Sequence, residues 1–278
     1  MMTAGGLPMR KRRRFWFFAA LAAVTIWTYT ATETEDWTIS SPRIPAAFDG
    51  MRITLLTDLH GSELGQDNHR LLDAVTKSKP DLIAISGDLA DECTDRAMIT
   101  PLLQQLTAIA PTCYVTGNHE WSREDTEDLL REIADAGVTV LRNDYKILEQ
   151  DGQRLVLAGA EDPMAYADQE KPAAFAARIR QEVAGDPYVV MVSHRNDTLG
   201  LWASAQVDLV LAGHGHGGVI RLPFVGGLLG VDRQFFPDDD EGLYKSGRTT
   251  LAVSRGLGGI RLWNRPHLPT IVLQAENP

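Results

Sequence analysis

The stretch Ile53-Thr-Leu-Leu-Thr-Asp-Leu-His60 is an apolar run with strand character that ends in an acid and an imidazole two residues apart. In an extended chain, residues i and i+2 project from one face, so Asp58 and His60 are expected to point at a single ion. Alone, the string describes a buried strand and a polar turn equally well. The same event recurs down the chain, and that changes its meaning. Leu82 to Ser86 runs into Gly87-Asp88, and Cys113 to Thr116 runs into Gly117-Asn118-His119-Glu120. Val189 to Ser193 runs into His194, and Leu209 to Ala212 into Gly213-His214-Gly215-His216. Five candidate buried strands thus each deliver a metal-competent side chain at the C-terminal end, where open α/β sheets place their ligand sites. Chance accounts for one or two of these, not for five.

The elements that must position these residues follow from the apolar periodicity. Helical spacing runs over 68–77, 98–109 and 123–136, so strand, helix and strand alternate through Val115 and predict parallel βαβ units. Residues 138–141, 145–148 and 154–160 read as shorter strands in a meander. Residues 172–183 and 199–206 read as further helices, and 251–254 and 270–273 as terminal strands. Two mixed β-sheets packed face to face, with helices on the outside, account for this α/β order. Residues 217–247 are the least regular part, with apolar side chains such as Phe224, Val225, Phe235 and Phe236 set among glycines. Two readings stay open there: a glycine-punctuated hairpin closing the sheet, or an apolar rim that touches lipid or a lipid-bearing substrate.

The chain has 278 residues, enough for a large domain with an ample core. Its formal net charge is -10 even though Arg10-Lys11-Arg12-Arg13-Arg14 supplies five positive charges, so the body is more acidic than the total suggests. No nucleic-acid partner is expected of such a body, because neutralising a phosphate backbone needs a basic face. The basic cluster precedes an apolar stretch from Phe15 to Ala31. We expect residues 1–31 to be a basic flank and membrane anchor, with a linker over 32–50 that becomes the first edge of a catalytic domain over 51–278. A basic N-terminus stays in the cytoplasm, which would put the body on the extracytoplasmic side. The alternative is a cleaved export signal, since Arg12-Arg13-Arg14-Phe15-Trp16 also fits a twin-arginine pattern. The only cysteines, Cys93 and Cys113, form no CxxC pair and exclude a thiolate zinc cluster; whether they bridge each other stays open.

Taken in order, Asp58-x-His60, Gly87-Asp88, Gly117-Asn118-His119-Glu120, His194 and Gly213-His214-Gly215-His216 resemble the calcineurin-like metallophosphoesterase pattern. The tail from Gly218 to Arg265, with Gly242-Leu243-Tyr244 and Ser254-Arg255-Gly256-Leu257-Gly258, resembles the membrane-tethered bacterial branch of that family. One departure is Gly215, where the family usually has a bulkier residue, most often Thr; it is expected to loosen the loop. The resemblance implies a four-layer α/β/β/α sandwich and a metal-dependent phosphoesterase, a hydrolase of phosphodiester or pyrophosphate bonds. It also implies that Asp58, His60 and His216 hold one divalent metal ion, that Asn118, His194 and His214 hold a second, and that Asp88 bridges them. Oxygen and imidazole donors without thiolate suit Mn, Zn or Fe, and seven ligands are too many for one tetrahedral ion. They suit two ions sharing a carboxylate, roughly 3.5–4 Å apart.

The chemistry expected of such a dinuclear centre is in-line attack on phosphorus by a metal-bridging hydroxide. His119 is expected to serve the leaving oxygen as a proton donor, or else to be a loop histidine capping Glu120. His69, His267 and Asp208 are expected to be surface or structural residues. Asn68 is open to two readings, a contact to substrate phosphate or a helix N-cap. The branch resemblance and the apolar stretch point to a lipid-linked substrate, with a soluble nucleotide or general phosphodiester as the alternative. A catalytically idle binding relative is the reading of a different class. It is disfavoured because none of the seven ligands is missing.

Overall fold

The computed structural model describes residues 9–165, 169–222, 225–231 and 233–276. In chain order, helix α1 (Met9–Thr30) leads into strand β1 (Glu33–Ser41), then β2 (Arg52–Leu56), α2 (His69–Ser78) and β3 (Leu82–Ser86). There follow α3 (Ile99–Ile109), β4 (Thr112–Val115), the single turn α4 (Asn118–Trp121), α5 (Thr126–Asp135) and β5 (Thr139–Val140). The hairpin β6 (Asp144–Gln150) and β7 (Gln153–Gly159) precedes α6 (Pro172–Glu182), β8 (Tyr188–Val192), α7 (Leu199–Ser204) and β9 (Leu209–Ala212). Five strands close the chain: β10 (Ile220–Leu222), β11 (Gly226–Leu229), β12 (Gly242–Ser246), β13 (Thr249–Val253) and β14 (His267–Ala275).

Among the described residues, two six-stranded sheets form, in the orders β1-β14-β2-β3-β4-β5 and β12-β13-β9-β8-β7-β6. Both are mixed: β2, β3, β4 and β5 run parallel, as do β7, β8, β9 and β13, while β14 and β12 run antiparallel to their inner neighbours. Period-two alternation decides which way each side chain faces. In β8, Val190 and Val192 enter the core between the sheets, whereas Val189 and Met191 meet α6 and α7. In β3, Leu82 and Ala84 face the other sheet, whereas Ile83 and Ile85 meet α2, α3 and α5. Burial on both faces is why these strands are unbroken apolar runs. The result is the expected four-layer sandwich of helices, sheet, sheet and helices.

Several expectations change. The meander over 138–160 divides instead: β5 extends the first sheet, and β6 with β7 forms the edge hairpin of the second. Residues 32–50 contain β1, which pairs in parallel with β14 and puts Trp37 and Ile39 into the core between the sheets. The irregular region holds a small separate hairpin, β10 with β11; Pro223 and Phe224 lie outside the described residues. Cys113 is buried and Cys93 exposed, and both are free. Burial pushes the Cys113 thiol up to about 12.

The expected membrane-spanning helix finds no support. Among the described residues no helix is long and apolar enough to cross a membrane. The basic cluster lies inside α1, and its remainder, Phe15–Thr30, spans roughly 24 Å at helical rise, short of the ~30 Å hydrocarbon core. Most of α1 nevertheless stays unpacked, with Phe15, Trp16, Phe17, Phe18, Ile26 and Trp27 exposed. Its C-terminal end docks: Thr28 is buried, the Arg265 guanidinium lies 4.6 Å from the Trp27 ring centre, and its Nε donates to the Ala31 carbonyl.

Asp208 and His267 are structural, as expected, while His69 is exposed with Nδ1 3.0 Å from the Gln66 carbonyl oxygen. His267 is fully buried beside Glu35 at 2.8 Å. Asp208, also buried, accepts from Arg43 Nε (2.6 Å) and the Val189 backbone N–H (3.0 Å), tying the chain before β2 to the starts of β8 and β9. Replacing Asp208 with Ala strips the Val189 N–H of its acceptor and leaves Arg43 with Asp186 alone of its two carboxylates. The variant is expected to lose about 3 kcal/mol in urea unfolding, with bound metal per folded molecule unchanged.

Candidate metal centre

The residues singled out at strand ends converge where the carboxyl edges of the two sheets meet. From the first sheet, β2 delivers Asp58 and His60, β3 delivers Asp88, and β4 delivers Asn118 at the start of α4; from the second, β8 delivers His194 and β9 delivers His214 and His216. The ligand atoms of Asp58, His60 and His216 lie within 4.8 Å of one another, as do those of Asp88, His194 and His214. His60 Nε2 and His216 Nε2 are 3.0 Å apart, and His216 Nε2 is 3.6 Å from Asp58 Oδ1. His214 Nδ1 lies 3.1 Å from His194 Nε2. Asp88 Oδ2 reaches both groups, at 3.2 Å from His194 Nε2 and 3.9 Å from His60 Nε2.

Two observations fit this donor set to divalent cations. Asn118 Oδ1 is buried and has no hydrogen-bond partner, an arrangement that costs free energy unless something positive faces it. The facing imidazole nitrogens of His60 and His216 can share at most one proton, so a cation shared by both lone pairs suits them better than a hydrogen bond. All donors are oxygen or imidazole nitrogen, the set suited to Mn, Fe or Zn.

The geometry that aims these side chains is not the one the sequence suggested. Strand β2 stops at Leu56, so Asp58 and His60 do not share a face by strand alternation. They sit instead in the left-handed backbone region, at φ 52° and 51°. Asp88 (51°), His214 (67°) and His216 (53°) do the same. A non-glycine residue there costs about 1–2 kcal/mol, and such strain concentrates where the surrounding structure fixes a functional constellation. Gly117 meets a different demand, since a Cβ on it would overlap the Asp88 carboxylate. At Gly215 the expected slack is absent. A Cβ there would stand 2.7 Å from Asn196 Nδ2, which donates to the Asp239 carbonyl, so Asn196 fills the room a larger residue would take.

A second set of groups, which sequence reasoning missed, holds the first in place. Glu120 is fully buried, and its carboxylate accepts from the backbone N–H groups of Asp88 (3.0 Å), Ala90 (3.0 Å) and Gly117 (2.7 Å). It is therefore turned inward and is not capped by His119. Burial, then the neighbouring Asp88, pushes its carboxyl above the usual range. Asp91 pairs with His60 Nδ1, and His194 Nδ1 donates to the Ser86 carbonyl at 2.8 Å, which turns Nε2 of each ring toward the centre. Asp162 and Arg195 form a pair beside His214. Asn264 ties down the His216 and Gly218 carbonyls. Glu120, Asp91 and Arg195 lay beside a motif in sequence, Asp162 and Asn264 did not, and only the fold shows which side chains turn inward. Asn68 does not cap α2; its Oδ1 accepts from the Leu64 backbone N–H at 3.0 Å.

Electrostatics separate the imidazoles. Burial pushes His194 down, but the Asp88 carboxylate against it more than compensates and holds it at about 10. Burial dominates at His214 and His216, each pushed down to about 4, with positive neighbours adding to the effect. His119 stands at the rim, 36% exposed, with Nδ1 3.3 Å from Glu92 Oε2 and its backbone N–H donating to Asp88 Oδ1. It also falls within a ligand-distance group with His60 and Asp88, and in another with Asp91 and Glu92.

A family model described as calcineurin-like phosphoesterase matches residues 51–218. An uncharacterized metallophosphoesterase of Bacillus subtilis, YkuE, is 31% identical over 256 residues, covering 88% of this chain and 86% of that protein. The phosphodiesterase YaeI of Escherichia coli is 29% identical over 236 residues, covering 80% of this chain and 82% of that protein. Among solved structures, TT1561 of Thermus thermophilus aligns over 73% of this chain and 88% of that one, at 14% identity and a TM-score of 0.49.

The Glu120 clamp yields a direct test. Replacing Glu120 with Gln puts an amide NH2 against backbone N–H groups that now face carboxylate oxygens. The variant is expected to be about 2 kcal/mol less stable in urea and to retain less Mn after gel filtration. Unchanged stability and Mn content would show that the carboxylate does not organise the loop.

Proposed function

The chain belongs to the calcineurin-like phosphoesterase family, metal-dependent hydrolases of phosphoester bonds, and on that premise we propose that it hydrolyses phosphodiester or pyrophosphate bonds at a dinuclear centre. Asp58, His60 and His216 would hold one cation, Asn118, His194 and His214 the other, and Asp88 would serve both. The observation that carries this reading is the position of Asp88, one carboxylate within 3.9 Å of imidazoles from both groups. A carboxylate suits that place because its two oxygens and negative charge lie where two cations repel. Asn118 would add a neutral oxygen and so leave the cation it holds more Lewis-acidic. Two divalent cations held there, Mn, Zn or Fe, would supply positive charge against the phosphoryl oxygens and acidify a water for attack on phosphorus.

The chain's own residues do the rest. His119 stands at the mouth, where Glu92 and Asp91 flank Nδ1 at 3.3 and 3.5 Å and leave the other ring nitrogen for the departing oxygen. The rim favours a substrate with an apolar part, such as a lipid-linked phosphodiester or pyrophosphate. Ile260 is 84% exposed and adjoins Gly259, which packs against the His216 ring. Phe235 and Phe236 are exposed in the segment that follows His216. With Arg12 to Arg14 and the bare aromatic side chains of α1, these residues support contact with a lipid surface rather than passage through it.

Three outcomes are expected. Asp88→Asn abolishes hydrolysis of bis(4-nitrophenyl) phosphate and lowers bound metal, as does chelation of the wild type, and Mn restores only the wild type; full activity in the mutant would refute the shared carboxylate. His119→Asn slows turnover while metal content holds, whereas loss of metal would make His119 a ligand. Exchange of Ile260, Phe235 and Phe236 for Ser raises KM for an acylated pyrophosphate and leaves a soluble diester unaffected. Equal effects on both would favour a soluble nucleotide or general phosphodiester.

A further inference from the structure

We infer that Arg195 is a substrate-contacting residue that grips a non-bridging oxygen of the scissile phosphate, an inference that rests on the dinuclear reading. Arg195 follows His194 beyond β8, and Asp162 lies beyond β7, the neighbouring parallel strand. The two side chains meet fork to fork: Arg195 Nε donates to Asp162 Oδ2 at 2.7 Å, and Nη2 to Oδ1 at 3.1 Å. The Asp162 side chain has no exposed surface, and its Oδ1 also accepts from the Met164 backbone N–H. One edge of the guanidinium is thereby fixed. Its other edge points toward the centre, with Nη1 3.1 Å from His214 Nε2.

That last contact is incompatible with His214 as a ligand. A neutral imidazole carries one proton and two nitrogens. The nitrogen facing Arg195 accepts a hydrogen bond only when the proton sits on the other one, which faces His194. If that second nitrogen gives its lone pair to a cation, the proton sits opposite Arg195, and N–H meets N–H. Turning the ring over changes nothing, because whichever nitrogen faces the cation must be bare. The free edge of Arg195 therefore needs a different acceptor once His214 serves as a ligand. A phosphoryl oxygen meets the need, since a planar guanidinium with an open N–H edge matches it in shape and charge.

Neighbouring guanidiniums are committed elsewhere. Arg261 is buried and spent on the carbonyls of Gly256, Gly258 and Arg265, and Arg123 is spent on Asp125 and the Asp91 and Thr94 carbonyls. The Arg195 side chain keeps 25% exposure, in contrast to the buried Asp162 that holds it. Asp162 balances its charge, which lets a guanidinium stand near two cations without expelling them.

The test compares wild type, Arg195→Gln, Arg195→Lys and Asp162→Asn after Mn loading. It measures bound Mn, melting temperature, calorimetric binding of inorganic phosphate, and KM and kcat for bis(4-nitrophenyl) phosphate. Arg195→Gln is expected to keep its Mn and to bind phosphate about ten- to a hundredfold more weakly, with KM raised more than kcat is lowered. Arg195→Lys keeps the charge without the fork and is expected to recover part of that loss. Asp162→Asn frees the guanidinium and is expected to fall between wild type and Gln. Wild-type phosphate affinity in Arg195→Gln overturns the inference; if that variant does not fold, wild-type affinity in Arg195→Lys does so. Phosphate binding that falls only in step with Mn also overturns it, making Arg195 a support for His214. A wild type that binds no Mn defeats the dinuclear reading itself, and the inference with it.

Discussion

One carboxylate has to face imidazoles from two sheets at once, and much of the local architecture serves that demand. Asp88 is 1% exposed and lies 3.2 Å from a histidine of the second sheet while reaching toward His60 of the first. Its backbone is turned left-handed after Gly87, and its own N–H is held by Glu120. Three N–H groups converging on the Glu120 carboxylate fix the β3 exit to the β4 exit. Asp88 and Asn118 therefore cannot move independently. A buried carboxylate with fewer donors would be a liability in so apolar a place; here the surrounding backbone satisfies it.

The pairing of the sheets follows from the same requirement. Helices cover the outer faces, so only the line where the two sheets' carboxyl edges meet can bring five strand exits together. Buried polar links cross that line and set its spacing. The Ser86 hydroxyl on the first sheet donates to the Ser193 carbonyl on the second, and the backbone N–H of His214 reaches the Asp58 carboxylate at 3.1 Å. The apolar layer between the sheets lets the edges pack closely without separate charge partners. The left-handed turns at Asp58, His60, Asp88, His214 and His216 are local strain carried by this larger packing.

How much could be read in advance depended on the kind of signal. Strands such as Leu82–Ser86 and Leu209–Ala212 were legible because burial on both faces leaves an unbroken apolar run. Their exits were legible because acids and imidazoles follow abruptly. What failed was reasoning that assumed regular geometry past the end of a strand: Asp58 and His60 lie together through two left-handed residues, which no period-two argument anticipates. The β1 strand was hidden for a different reason. Its sequence, Glu33-Thr-Glu-Asp-Trp-Thr-Ile-Ser-Ser41, is polar because it is an edge strand with an exposed side, and its pairing partner lies over two hundred residues away. Glu120 and Arg195 beside their motifs, and Asp162 away from any, were given no role because a charged residue reads as solvated surface until burial is known. In α1 the aromatic residues were plain in the sequence, and they stay exposed along the helix.

The C-terminal segment bears on the centre more than the match over residues 51–218 suggests. Strand β14 inserts between β1 and β2, so the first sheet is incomplete without the last strand of the chain. The loop before it runs along the Asp58 turn, where Leu257 donates to the Thr57 carbonyl and Gly258 to the Asp58 carbonyl. Asn264 holds the His216 and Gly218 carbonyls from the other side. Arg265 in the same loop carries the Trp27 ring and the end of α1. One short loop thus joins the turn that presents Asp58, the loop that presents His216 and the docked end of an apolar helix. The docking of α1 and the placement of those two side chains therefore draw on residues of the same loop.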